Sequence, residues 1–127
     1  MEKRKLGETG MEVSLLGLGG FHLVEISDEE ASSLLHRYLD AGGNYVETAA
    51  AYGRGESERK VGRVMALRRG ETYLATKVMA RDARSAREVF EQSLRNLQTD
   101  HVDILFIHAV QTEEDVALAL AAGGVLE

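Results

Sequence analysis

Four side chains of this sequence are of types that could do acid–base chemistry: Glu47, Tyr52, Lys77 and His108. They are an acid, a phenol, an amine and an imidazole, which are the groups that enzymes use to move protons. Each of the four lies at or just beyond the end of a predicted β-strand. In parallel βα folds such strand ends converge, so the four residues predict an active site.

Each residue taken alone also has an ordinary structural explanation. Tyr52 could be an amphipathic loop residue, and Lys77 could be a solvated strand end. The combination of both with Glu47 and His108 on neighbouring strands favours an active site. A metal site built on Glu47 and His108 is the remaining enzymatic alternative, but it lacks a third ligand at suitable spacing. We expect no role for the other histidines, which are His22, His36 and His101.

Length and composition are those of one soluble globular domain over residues 1–127. The sequence is 44% hydrophobic and 28% charged, and its formal net charge of -6 argues against a nucleic-acid partner. The basic residues between positions 59 and 69 are interpreted as the solvated face of a helix. The absence of cysteine suits a reducing compartment, so we expect a cytoplasmic protein. No stretch approaches the roughly twenty apolar residues that span a bilayer, and no export signal is predicted.

The pattern of apolar and turn residues predicts short strands that alternate with amphipathic helices. The predicted elements are a hairpin of residues 3–6 and 11–15, strands over 15–20, 45–48, 72–76 and 102–107, and helices starting near 28, 56, 85 and 112. The first helix should begin at a Ser27–Glu30 capping box and the third at a Ser85–Glu88 capping box. The second helix should bury Val61, Val64, Met65 and Leu67 on one face.

This alternation indicates an α/β fold with a parallel sheet covered by helices. Because βα crossovers are right-handed, four such units form either an open doubly wound sheet or half of a barrel, and periodicity does not choose between them. Gly17, Gly19 and Gly20 lack the spacing before a helix that a dinucleotide-binding Rossmann fold requires. We expect Asp103 to accept hydrogen bonds within the sheet. The alternative is that Asp103 supplies a second carboxylate near Lys77.

The chain resembles the aldo-keto reductase family along nearly its whole length. The matching segments are KLGETG at 5–10, VSLLGLGG at 13–20, GNYVETA at 43–49, YGRGESE at 52–58, ATK at 75–77, SLRNL at 93–97, TDHVDI at 99–104 and His108. The segment from His108 to Asp115, with 123–127, resembles the branch whose longer members add a ferredoxin-like iron–sulfur segment. The resemblance implies the N-terminal half of a (β/α)8 TIM barrel, closed at its base by a short N-terminal β-hairpin.

The resemblance also implies a function and roles for the residues already named. It implies reduction of a small-molecule aldehyde or ketone by NADPH. The position matching Tyr52 would protonate the developing alkoxide, and Lys77 would stabilise the phenolate. Glu47 would pair with Lys77, and His108 would orient the carbonyl oxygen.

The family's cofactor implies a second set of contacts. The positions matching Gly20, Phe21 and Glu47 would contact NADPH. The family usually has aspartate where this chain has Glu47, and one extra methylene moves the carboxylate by roughly 1.5 Å on a fixed backbone. The resemblance therefore implies a changed geometry of the four site residues at that position.

The resemblance covers only the first half of the family's barrel. We therefore expect a truncated or partial reductase domain, inactive alone, whose open sheet edges bind a second copy or a C-terminal half. The alternative is a non-catalytic half-barrel that acts as a binding or assembly module through the same edges.

Overall fold

A computed structural model describes residues 1–126 as a hairpin followed by four βα units. The hairpin pairs β1 (Lys3–Lys5) with β2 (Glu12–Ser14) in antiparallel register, as predicted. The remaining strands are β3 (Leu18–Gly19), β4 (Tyr45–Glu47), β5 (Tyr73–Val78) and β6 (Ile104–Ile107). The α-helices are α1 (Asp28–Asp40), α2 (Glu56–Arg68), α3 (Ala83–Leu97) and α4 (Glu113–Leu120). Short 3₁₀ helices cover Phe21–Glu25 and Arg69–Glu71.

Strands β3 to β6 form one parallel sheet whose spatial order is the order of the chain. A doubly wound sheet reverses its strand order at a switch point, whereas a barrel adds each strand beside the last. The structure therefore selects the barrel arrangement that the periodicity left open.

The two faces of this sheet differ in what they contact. Val46 and Leu74 point toward the helices and are fully buried. In the parallel register Glu47 lies opposite Ala75, and Lys77 lies opposite Phe106, so these side chains share the other face. The hydrophobic core thus lies between sheet and helices, and the polar residues face the barrel interior.

Helix ends agree with the sequence prediction at α1 and differ at α3. The Ser27–Glu30 capping box is present, and Gly42 ends α1 with φ +84°. The predicted Ser85–Glu88 box is wrong, because Asp82 is the N-cap of α3. Its carboxylate accepts a hydrogen bond from the Ser85 amide, so the helix begins about one turn earlier.

The structure also corrects the predicted placement of three apolar residues. The strand expected over 15–20 is confined to Leu18–Gly19, and Leu15 and Leu16 are exposed. The Leu15 amide donates to the Glu2 carbonyl oxygen, so this residue extends the hairpin rather than the sheet. Leu67 is 77% exposed because it lies beyond the edge of the α2 stripe that faces the sheet.

β6 is one edge of the described sheet, although its sequence is the most apolar of the predicted strands. Leu105 and Phe106 are both exposed, one on each face. Within residues 1–126, every helix is too short or too polar to span a bilayer.

Candidate active site

The C-terminal strand ends bring the four predicted site residues into one cluster. Glu47 is the last residue of β4, Lys77 is the penultimate residue of β5, and His108 directly follows β6. Tyr52 lies in the loop of residues 48–55 that connects β4 to α2. All four therefore come from elements that end at the same side of the sheet.

Lys77 is the centre of this cluster. Its Nζ donates hydrogen bonds to Tyr52 Oη at 2.8 Å and to the Thr48 carbonyl oxygen at 3.1 Å, and it forms an ion pair with Glu47 Oε1. The side chain is only 15% exposed. Burial lowers the pKa of Lys77 to about 8, while the Glu47 carboxylate acts in the opposite sense by stabilising the ammonium.

Tyr52 lies between two other rings and the ion pair. Its hydroxyl donates to Glu47 Oε1 at 3.4 Å, a long hydrogen bond. Its ring meets Phe21 and His108 edge-on, with centroid separations of 5.1 and 5.7 Å. These contacts hold the phenol between Lys77 and the open interior of the barrel.

His108 has a well-anchored backbone and a ring with little polar support. Its amide donates to the Val78 carbonyl oxygen at 2.8 Å. Its Nδ1 atom is buried without a hydrogen-bond partner among residues 1–126. Burial lowers the pKa of His108, and the charges of Lys77 and Arg81 lower it further. The imidazole is therefore neutral at neutral pH.

Glu47 reaches Lys77 despite the extra methylene. Its Oε1 atom contacts both Lys77 Nζ and Tyr52 Oη. A Cβ on Gly19, its neighbour on β3, would lie 3.7 Å from Glu47 Oε2, which is an ordinary van der Waals contact. The carboxylate thus keeps its place beside the lysine.

Gly20 is fixed by one hydrogen bond to the end of β4 and by a second to the start of α2. Its amide donates to the Glu47 carbonyl oxygen at 2.7 Å, and its own carbonyl accepts from Ser57 Oγ at 2.7 Å. The Ser57 hydroxyl also lies 2.8 Å from Thr48 Oγ1. A Cβ on Gly20 would lie 2.6 Å from Ser57 Oγ, so only glycine fits. The next residue, Phe21, is 54% exposed beside Tyr52.

Sequence reasoning missed the role of Lys60, which was interpreted as part of a solvated helix face. Lys60 is 5% exposed and donates to the carbonyl oxygens of Leu23 and Ile26 at 2.9 and 2.7 Å. It also pairs with Glu56, one helical turn earlier. It therefore secures the segment that carries Phe21. The i,i+4 spacing to Glu56 was the available signal.

The remaining candidates lie apart from this cluster. His22 pairs with Glu25, and His101 pairs with Asp100. His36 is half-buried, and its ring lies within hydrogen-bond distance of Arg68.

Asp103 has the structural role expected of it. Its Oδ2 accepts hydrogen bonds from the Leu74 amide at 2.8 Å and from Arg69 at 2.7 Å. These contacts lie near the N-terminal end of β5, away from Lys77. Within residues 1–126, no three histidine, cysteine, aspartate or glutamate side chains are grouped in a way that could hold a metal ion.

Comparison with known proteins gives consistent results. The profile of the Aldo/keto reductase family matches residues 15–124. Aldo-keto reductase YhdN of Bacillus subtilis is 36% identical over 125 residues, covering 85% of this chain and 38% of YhdN. Methylglyoxal reductase DkgA of Salmonella typhimurium is 31% identical over 101 residues, covering 80% of this chain and 36% of DkgA.

Solved structures of the same family superpose on most of the chain. The holo form of an aldo-keto reductase from Bacillus halodurans has a TM-score of 0.79 at 30% identity, over 94% of this chain and 45% of that one. An aldo/keto reductase from Klebsiella pneumoniae in complex with NADP and acetate has a TM-score of 0.76 at 27% identity, over 93% and 44%.

The extent of these matches agrees with the observed architecture. The chain spans between 30% and 42% of the length of the curated relatives it matches. The predicted fold is confirmed as the first four βα units of a (β/α)8 barrel behind an N-terminal hairpin. On this evidence of sequence and fold, the chain belongs to the aldo/keto reductase family.

Proposed function

We propose that this chain supplies the acid–base half of an oxidoreductase that reduces a small aldehyde or ketone with NADPH. The observation that carries the proposal is the 2.8 Å hydrogen bond from Lys77 Nζ to Tyr52 Oη, with Glu47 paired to the same ammonium. Methylglyoxal reductase and a reductase solved with NADP are among the proteins it resembles.

In this reaction NADPH, when bound, supplies a hydride to the carbonyl carbon. Tyr52 donates its phenolic proton to the carbonyl oxygen, and the Lys77 ammonium stabilises the phenolate that remains. Glu47 keeps the lysine fixed and charged. His108, as a neutral imidazole, has one N–H to donate to the carbonyl oxygen and thereby orient it.

Gly20, Phe21 and Glu47 would form the part of the cofactor site that this chain provides. The exposed Phe21 ring lies beside Tyr52 and offers an aromatic surface to a flat, largely apolar nicotinamide. Gly20 lets that segment lie directly on the end of β4. These residues fit the ring end of NADPH, and we assign the rest of the dinucleotide to other parts of a complete barrel.

We further propose that activity requires a complement to the four described units. A closed barrel leaves no free strand edge, whereas β6 here exposes Leu105 and Phe106. A C-terminal half or a second copy of the chain would cover these side chains. A half-barrel that only binds a partner through this edge is the second candidate function, and the same exposed edge favours it.

We place the protein in the cytoplasm, because a chain without cysteine suits a reducing compartment. The ferredoxin-like iron–sulfur segment of a longer parent stays a prediction, which rests on the sequence near residues 108–115 alone.

The proposal is tested by NADPH-dependent reduction of methylglyoxal, with the chain alone and mixed with the C-terminal half of a matched relative. Tyr52→Phe should reduce the rate by roughly 10²- to 10⁴-fold, the usual contribution of a general acid. Tyr45→Phe is the matched control, since it removes a phenol on β4 that makes no contact with Lys77. Reduction that survives Tyr52→Phe would contradict the catalytic assignment. NADPH binding by calorimetry, with the mass recorded in the same sample, separates the two candidate functions.

A further inference from the structure

Arg81 joins the ends of the two strands that carry Lys77 and His108. Its guanidinium donates to the Met79 carbonyl oxygen at 2.7 Å, just beyond β5, and to the Ala109 carbonyl oxygen at 3.0 Å, just beyond β6. The side chain is 15% exposed. One planar group thus bridges the loops that follow β5 and β6.

The same guanidinium is held from the other side by the start of α4. Arg81 Nε donates to Asp115 Oδ1 at 3.1 Å. The other carboxylate oxygen of Asp115 accepts from the Gln111 and Thr112 amides at 3.0 and 3.1 Å. Asp115 is therefore both the capping-box residue of α4 and the anchor of Arg81. Hydrogen bonds therefore fix both ends of the turn between His108 and α4.

This turn contains a backbone conformation that needs such support. Ala109 has φ +53°, in the left-handed region that non-glycine residues rarely occupy. Strained conformations of this kind persist where surrounding contacts fix them. The Ala109 carbonyl is the group that Arg81 binds.

The ring of His108 depends on that turn for its orientation. In metal-binding and catalytic sites alike, a histidine ring is commonly oriented by a hydrogen bond to its second nitrogen. Here Nδ1 is buried without a partner among residues 1–126. The ring position is set instead by the backbone of residues 108 and 109 and by the edge-on contact with Tyr52.

We propose that Arg81 is a positioning residue: by binding the Ala109 carbonyl and Asp115 together, it fixes the turn that holds the His108 imidazole against Tyr52. This inference rests on the proposed function, in which His108 orients the carbonyl oxygen. Arg81 binds the turn rather than the reacting groups, and its charge also acts on the His108 ring.

The charges around His108 give the inference a second readout. The groups that face it are Tyr52 from the 48–55 loop, Lys77 from β5 and Arg81 from the β5–α3 loop, with Glu47 of β4 behind Lys77. Burial, Lys77 and Arg81 all lower the pKa of His108. Loss of Arg81 removes one positive charge and lets water reach the ring, so the pKa of His108 should rise.

The test is an NMR titration of the histidine ring protons in the 127-residue chain, which needs no catalytic activity. Arg81→Met removes the hydrogen bonds and keeps most of the side-chain length. Arg81→Lys keeps the charge but cannot bind three acceptors in one plane. Arg84→Met is the matched control, because Arg84 is 90% exposed and pairs only with Glu88 at the surface.

In Arg81→Met we expect the His108 ring protons to lose the shift that the Tyr52 ring induces, and the titration to move to higher pH. In Arg81→Lys the ring-proton shift should still be lost, while the titration moves less. Arg84→Met should match the wild type in both. Where the carbonyl reductase assay gives turnover, Arg81→Met should lower kcat/KM by roughly 10- to 100-fold.

Two outcomes overturn the inference. One is an Arg81→Met spectrum whose His108 resonances match those of wild type and Arg84→Met. The other is an Arg81→Lys variant whose ring-proton shift is fully retained, since charge alone would then suffice.

Should Arg81→Met fail to fold, Asp115→Asn, which keeps an oxygen for the cap, should give a smaller change in the same direction. Failure of the proposed function can be told apart from failure of this inference. It would appear as carbonyl reduction that survives Tyr52→Phe, and it would leave the NMR titration of His108 unchanged.

Discussion

Gly62→Ala should destabilise this protein, even though alanine favours a helix over glycine. Gly62 lies in α2 where that helix crosses α3. A Cβ added there would overlap the Asn96 carbonyl oxygen and would lie 2.9 Å from the Cα atom of Leu97. Leu97 is fully buried, so α3 cannot move away without disturbing the core.

The magnitude follows from two opposing effects. Alanine in a helix interior gains about 1 kcal/mol over glycine. Adding volume to a closely packed contact costs roughly 1–3 kcal/mol, and the upper part of that range applies because the obstacle is backbone. The free energy of unfolding should therefore fall by about 1–2 kcal/mol, which lowers Tm by roughly 4–8 °C in a domain of this size.

Thermal denaturation followed by circular dichroism measures this directly. Gly70→Ala is the control, because a Cβ on Gly70 would meet nothing within 4 Å and the glycine does not have a positive φ. That control should be neutral or more stable by up to about 1 kcal/mol, through lower entropy of the unfolded chain. The packing argument fails if Gly62→Ala is as stable as wild type while Gly70→Ala behaves as stated.

Two further predictions concern pH. If Lys77 must be charged to assist Tyr52, carbonyl reduction at saturating NADPH should decline as pH rises through about 8, where Lys77 loses its proton; a rate that is flat to pH 10 would contradict this. Hydrogen bonds from the Gln111 amide, Thr112 and Arg81 lower the pKa of Asp115 from 3.8 to about 2. Between pH 3.8 and about pH 2, the Asp115 carboxyl binds more protons in the unfolded chain than in the folded one. The stability that Asp115 contributes to the fold is therefore complete above about pH 4 and is lost as the pH falls through 2. Hydrogen exchange of α4 should accelerate in that window in wild type, and Asp115→Asn should remove the dependence.

The parts of the site that were predictable from sequence are those set by strand ends. Glu47, Lys77 and His108 follow apolar or β-branched runs, and in a parallel sheet such positions must meet at one edge. Local chemistry also predicted the start of α1, since Ser27 and Glu30 satisfy each other's backbone groups within four residues. Both predictions depend only on contacts between residues that are close in sequence or that the parallel sheet brings together.

The parts that were not predictable depend on contacts distant along the chain. Lys60 looks like a solvated helix residue until the 3₁₀ segment, more than thirty positions earlier, presents two carbonyl oxygens to it. Asp82 and Ser85 could both cap α3, and Asp82, which forms the cap, lies in the segment 81–83 that bonds to the distant residues 123–125. The low burial of β6 likewise reflects a missing neighbour in the described sheet, which its own residues cannot reveal.

Glu47 shows that a longer acid can still reach the partners of a shorter one. A carboxylate carried about 1.5 Å farther from the backbone would pass its target if the side chain extended straight. Here it remains on Lys77 and within 3.4 Å of Tyr52 Oη, while its second oxygen lies over Gly19. A Cβ at position 19 would lie 3.7 Å from that oxygen, an ordinary van der Waals contact, so a small side chain would fit there beside Glu47. The contact between Glu47 and Lys77 therefore does not depend on glycine at position 19.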